Sequence, residues 1–161
     1  METETELDLW PSILPDDPTL KTPLSILKEQ SALLRKKTKG IIVAEIVSLT
    51  LEYSERLTLR NKYPFYDTKN QLFYAFYLEA PQLDDYRYQL FWFSQPIEMY
   101  PLYIFSSPLS NDCLIIESEE SLIEGLRSVF NHQKTQSVMK AMIVQSRNLS
   151  HADEEATKQS F

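Results

Sequence analysis

Fifteen of the nineteen aromatic residues in this 161-residue chain lie between Tyr63 and Phe105, and that crowding limits the possible folds more than any other feature. Within the block, Gln71 to Ala80 alternates without interruption. Leu72, Tyr74, Phe76 and Leu78 fall on one side, and Phe73, Ala75, Tyr77 and Glu79 on the other. Period-two alternation of bulky side chains is the pattern of a pleated strand, whose successive Cβ atoms point to opposite faces. Tyr86 to Phe93 and Met99 to Ser106 repeat the composition, while Pro81 to Asp85 has the residues of a turn. Short turns join antiparallel neighbours, since parallel ones need long crossovers. The centre of the chain therefore reads as an antiparallel sheet. Because both of its faces carry rings, each face needs cover from a second layer, a ligand or another protein.

The flanks read as helices. Thr22 suits an N-cap and Pro23 the first helical position, where its missing N–H is no loss. Leu24, Ile26, Leu27, Leu33 and Leu34 recur at three- to four-residue spacing, and Arg35, Lys36, Lys37 and Lys39 complement the negative end of the helix. Gly40 then supplies a stop. Ile41 to Tyr53 reads as a long strand, turning through Ser54-Glu55-Arg56 into a second strand, Leu57 to Lys62. After a short last strand at Cys113 to Ile116, Ser118 caps one helix and Thr135 another, the latter striped by Val138, Met139, Met142 and Ile143. The expected fold is α+β: an N-terminal helix, an aromatic-rich antiparallel sheet of about five to six strands, and two C-terminal helices packed on it. The expected organisation is an extended acidic arm over 1–20, a single domain over 21–147 and a flexible tail over 148–161.

Charge is distributed in blocks. Residues 1–20 hold six acids and no base, residues 21–62 nine bases and four acids, and residues 63–130 three bases and ten acids. Such asymmetry either neutralises itself across the folded domain or steers a partner. The arm contains Pro11, Pro15 and Pro18, which forbid a continuous helix, and an apolar cluster of Leu7, Leu9, Trp10, Ile13 and Leu14. A tryptophan in such an arm is expected to dock, on the chain's own domain or on another protein. Leu9 and Trp10 are therefore candidate anchors. Tyr86, Tyr88 and Trp92 are candidate interface residues, separated by even numbers and so expected on one face of their strand, with Arg87 on the other.

Catalytic patterns are scarce. Two glycines, Gly40 and Gly125, cannot spell a phosphate loop, a dinucleotide fingerprint or a serine-nucleophile elbow. Cys113 and His132 are the pair that could imitate a cysteine nucleophile and its base, but Cys113 opens an apolar strand where a thiol is usually packing. One cysteine and two histidines do not supply a soft-metal cage. Asp84-Asp85 and Asp67-Thr68-Lys69 lie in turn segments, where aspartate commonly bonds its own backbone. No cofactor, metal or catalytic constellation is expected.

The single cysteine, an acidic N-terminus unlike a signal peptide and the lack of a long apolar run lead to the expectation of a soluble, cytoplasmic protein without a membrane partner. Between Tyr63 and Phe105 there are five acids against Lys69 and Arg87 alone, which argues against stacking on nucleic acid. The leading expectation is a non-enzymatic interaction module, namely an adaptor, accessory subunit or immunity- or antitoxin-like neutraliser, acting through an aromatic and acidic surface on another protein or a second copy. The alternative is a small-molecule binder or minor enzyme with a tyrosine-lined pocket between sheet and helices, where Arg87 or Arg127 would anchor an anion.

Overall fold

Thr22 and Ser25 exchange side chain-to-backbone hydrogen bonds of 3.0 and 2.9 Å, closing a capping box that starts α1, Pro23–Lys37. The computed structural model describes residues 6–109 and 112–159, with backbone alone over 151–159. At the far end of α1, Gly40 adopts φ +80° and its N–H bonds the Arg35 carbonyl at 2.9 Å, turning the chain towards the sheet. The stop expected from the sequence is therefore in place.

Strand β1 spans Val43–Leu49, shorter than expected, and the strand anticipated at 57–62 is instead helix α2, Tyr53–Lys62. The helix wins because its first turn is satisfied locally. Glu52 donates its backbone N–H to the Glu55 carboxylate at 3.1 Å, and Arg60 and Lys62 complement the last turn. The apolar residues Leu57 and Leu59 mimic strand alternation only because the window is short.

Strands β2 (Gln71–Ala80), β3 (Tyr86–Pro96), β4 (Leu102–Phe105) and β5 (Leu114–Ile116) follow, then α3 (Glu119–Phe130) and α4 (Gln133–Gln159). The sheet order is β1-β2-β3-β4-β5, every pair antiparallel, so each strand neighbours the next in sequence. The β2–β3 connection reverses on Asp84 and Asp85, both at φ +55°, the left-handed geometry that tight hairpins require. Ser118 caps α3 as expected, bonding Ser121 reciprocally. Thr135 does not cap α4. It is buried, its hydroxyl donates to the Val129 carbonyl at 2.6 Å, and the start of α4 is tied by His132 Nδ1, which accepts the Lys134 N–H at 3.1 Å. Helix α4 carries on through 148–159, read from the sequence as a tail. Among the described residues no helix is long and apolar enough to cross a membrane.

The main core lies between the sheet and helices α1, α3 and α4, built from Leu27, Ile42, Phe76, Leu78, Phe91, Phe93, Ile104, Leu122 and Val129 with their neighbours. Phe76 and Phe91 stack face to face at 5.1 Å across β2 and β3, and Phe130 of α3 closes on Phe76 at 5.7 Å. On the opposite face a smaller cluster of Tyr63, Tyr66, Phe73 and Phe105 is backed by Leu49, Leu51, Leu59, Trp92, Tyr103 and Cys113. The fold is thus an α+β arrangement with a partial second layer, formed by α2 and the segment after it.

Candidate interaction surfaces

The rings that exceed a single-faced sheet are mostly used inside the chain. Trp92 stacks on Phe105 with centroids 4.1 Å apart, and Tyr66 meets Tyr103 edge-on at 4.7 Å. The Tyr66 hydroxyl hydrogen-bonds Ser94 Oγ, which also contacts the Gln71 amide oxygen at 3.3 Å. Burial pushes the Tyr66 phenol up to about 12, and the Ser94 bond only partly opposes that. A tyrosine bonded to neighbouring side chains in this way is a structural element of the layer.

One residue in β3 corrects the expectation for Tyr86, Tyr88 and Trp92. Phe76 pairs with Phe91 but Tyr77 pairs with Gln89, so Leu90 is an extra, bulged residue. Beyond the bulge the faces exchange. Tyr88 packs on the helix-side core and Trp92 on the opposite cluster, each half-buried, while Tyr86 is half-exposed at the strand's start. The three do not form one patch, and Arg87 lies on the same face as Trp92. Parity in sequence places residues on one face only while the register is unbroken.

Arg87 is engaged across three strands. Its Nη2 reaches Glu45 Oε2 and its Nε reaches Glu79 Oε1, each at 2.7 Å, and the guanidinium sits 4.2 Å from the Tyr77 ring centre. Hydrogen bonding between the two carboxyls lowers Glu45 and raises Glu79, and the guanidinium lowers Glu45 further. With its donors committed to two carboxylates, Arg87 is poorly placed to anchor an anionic ligand.

Arg127 stands on the other side of the sheet, at the rim of a concavity. This cleft of about 410 Å³ opens between α1 and the α3–α4 corner. Its floor is Phe76, Leu78 and Leu90, and its walls include Leu34, Leu126 and Met139. Leu33 and Ile123 stand at its mouth with about 40% of their surface in water (42% and 41%). No tyrosine and no carboxylate lines it, and its two cations, Lys37 and Arg127, are exposed. The structure therefore does not bring Arg87 and Arg127 together, and the cleft between sheet and helices is not the tyrosine-lined pocket that the sequence suggested.

Cys113 and His132 are also separated. The thiol packs with the α2-side cluster, where burial pushes it up to about 11, and His132 serves the α3–α4 junction on the other layer. The Asp67 carboxylate accepts the Lys69 N–H at 2.9 Å, a local turn bond. Among the described residues no group of three or more His, Cys, Asp or Glu side chains is placed to share a metal ion.

The arm carries the most exposed apolar surface. Leu7, Leu9, Trp10, Ile13 and Leu14 are between 64% and 87% exposed, with Trp10 at 78%. Residues 6–22 form neither helix nor strand. Trp10 is thus not docked on its own domain. Compared with known protein families, with curated proteins and with solved structures, the chain finds no match.

A pocket between sheet and helices was anticipated from the sequence, with Arg127 beside it, but its lining was not. Its lining comes from α1, β2, β3, α3 and α4, and each residue taken alone reads as ordinary core. Ile123 is the one local signal, since beside Leu122 and Leu126 it widens the apolar face of α3 beyond what the sheet covers.

Proposed function

We propose that this protein is a non-enzymatic interaction module that holds another polypeptide through its N-terminal arm. The observation that carries the reading is the run Leu7, Leu9, Trp10, Ile13 and Leu14, presented to water on a segment without regular structure. Large apolar side chains this exposed lose the free energy that their burial would supply, roughly 1.5–3 kcal/mol for each aliphatic one. Tryptophan is also the residue type most enriched among interface hot spots. The separation of Cys113 from His132 and the commitment of Arg87 to two carboxylates support a role without chemistry. The sheet contributes less to the proposed interface than its composition suggests, because Tyr88 and Trp92 are already half-buried in the domain's own clusters.

The test is photocrosslinking with Trp10→benzoylphenylalanine in the full chain, irradiated in native extract and analysed by peptide mass spectrometry. Position 10 is expected to crosslink to another polypeptide chain, whether a different protein or a second copy. Crosslinks confined to the same chain's domain, or no crosslink at all, would overturn the reading.

A further inference from the structure

The arm and the cleft are complementary in apolar character and in charge. The cleft of about 410 Å³ falls in the range of about 300–1,000 Å³ that holds large apolar groups. Its polar wall residues are largely occupied: Gln136 donates to the Phe130 carbonyl at 2.7 Å, and Asn131 to the Arg127 carbonyl at 2.8 Å. What remains facing the cavity is mainly apolar, which suits an indole with neighbouring leucines better than a polar metabolite. Lys37 and Arg127 are the charges at its rim. The arm supplies the opposite sign, with Glu6 and Asp8 on one side of Leu9 and Trp10, and Asp16 and Asp17 beyond Leu14. Complementary rim charges orient a docking segment even where they add little affinity.

The join between arm and domain is turned, and no arm residue lines the cleft. Asp17 accepts hydrogen bonds from the Thr19 N–H at 3.0 Å and the Thr19 hydroxyl at 2.6 Å, and its carbonyl takes the Leu20 N–H at 3.1 Å. Pro15 and Pro18 fix their own φ angles on either side of that aspartate. A stiffened, turned connection that leaves the segment in water favours exchange with another molecule, where the same contacts form between copies.

We propose that residues 7–14 of one copy insert into the α1–α3–α4 cleft of a second copy, and that the exchange is reciprocal. The proposal rests on the arm acting as an anchor, and it names a second copy of this chain as the occupant. Trp10 enters between Leu34, Leu126 and Met139, and the acidic flanks meet Lys37 and Arg127. A two-fold exchange is closed, so assembly stops at the dimer.

The experiment is light scattering across a concentration series of the purified full chain. The wild type is expected to pass from 18.9 kDa to about twice that mass. Trp10→Ala and the double variant Lys37→Glu/Arg127→Glu should each weaken the dimer about tenfold or more, as expected for loss of a buried anchor or reversal of rim charge. The decisive arm mixes the two variants: one retains an intact cleft, the other an intact arm, so an equimolar mixture should restore a heterodimer with one engaged site. Circular dichroism on each variant excludes misfolding as the cause of a lost dimer. A monomer at every concentration, a dimer indifferent to Trp10→Ala, or a mixture no better than its components would overturn the exchange. If the purified chain stays monomeric while position 10 crosslinks to a different protein in extract, the second-copy assignment falls and the interaction module stands. If neither is seen, both fall.

Discussion

The two tryptophans make opposite predictions, although the sequence ranks both as interface candidates. Trp92→Ala removes a ring stacked 4.1 Å from Phe105 and a tilted contact with Phe73 at 6.4 Å. Two such aromatic pairs contribute roughly 1–3 kcal/mol beyond area burial. Truncating a buried Phe or Trp costs about 3–5 kcal/mol in all, and Trp92 is only half-buried, so a loss near the lower end, about 3 kcal/mol, is expected. For a domain of this length each kcal/mol lowers Tm by about 2–4 °C, which gives a fall of about 6–12 °C. Trp10→Ala should change stability by no more than about 0.5 kcal/mol, as surface substitutions do, because the ring touches little of its own domain. Urea unfolding and calorimetry at protein concentrations too dilute for association measure both. Equal losses for the two variants would refute the reasoning. So would a loss below about 1 kcal/mol for Trp92→Ala, since that ring would then not be packed as described.

Two further outcomes follow from groups shifted by burial. Tyr66 is raised from 10.0 to about 12, so its native environment favours the protonated phenol; the stability this lends is full below pH 10 and is lost as pH rises through 12. Alkaline denaturation followed by circular dichroism should therefore begin at higher pH in Tyr66→Phe, which has no phenol to ionise; an unchanged midpoint would show that Tyr66 is not the titrating group. Cys113 is raised from 9.0 to about 11, so at pH 8 the folded chain should react with iodoacetamide about a hundredfold more slowly than the urea-unfolded chain, in proportion to thiolate. Equal rates, read by mass spectrometry, would contradict its packing in the second cluster.

What could be read from the sequence depended on how local each signal was. α1 was legible almost to the residue because its cap, its proline, its basic last turn and Gly40 are all written within the segment itself. The α+β class and the antiparallel order followed from the alternation in β2 and the short turns after it. α2 was misread because ten residues with apolar side chains at 57 and 59 fit both periods, and the deciding bond, from the Glu52 N–H to the Glu55 carboxylate, was not sought in the sequence. The intended patch of Tyr86, Tyr88 and Trp92 failed because parity assumes a regular ladder and nothing in the residues around Leu90 declares an insertion. The arm was recognised from composition, and its exposure was not, since whether Trp10 finds a home depends on surfaces far away in the chain.

The extra residue at Leu90 has a consequence for how this chain tolerates change. Strand β3 is read in two phases, and the frame shifts within a single hairpin arm. Removing Leu90 would close the ladder without a bulge, leaving Gln89 and Phe91 consecutive opposite Tyr77 and Phe76. Tyr88, Phe91 and Phe93 would all keep the helix-side face, since Tyr88 and Phe91 would then stand two positions apart. A substitution at that position asks only whether a smaller side chain can fill its space. A deletion keeps both layers in register and takes one buried leucine out of the core.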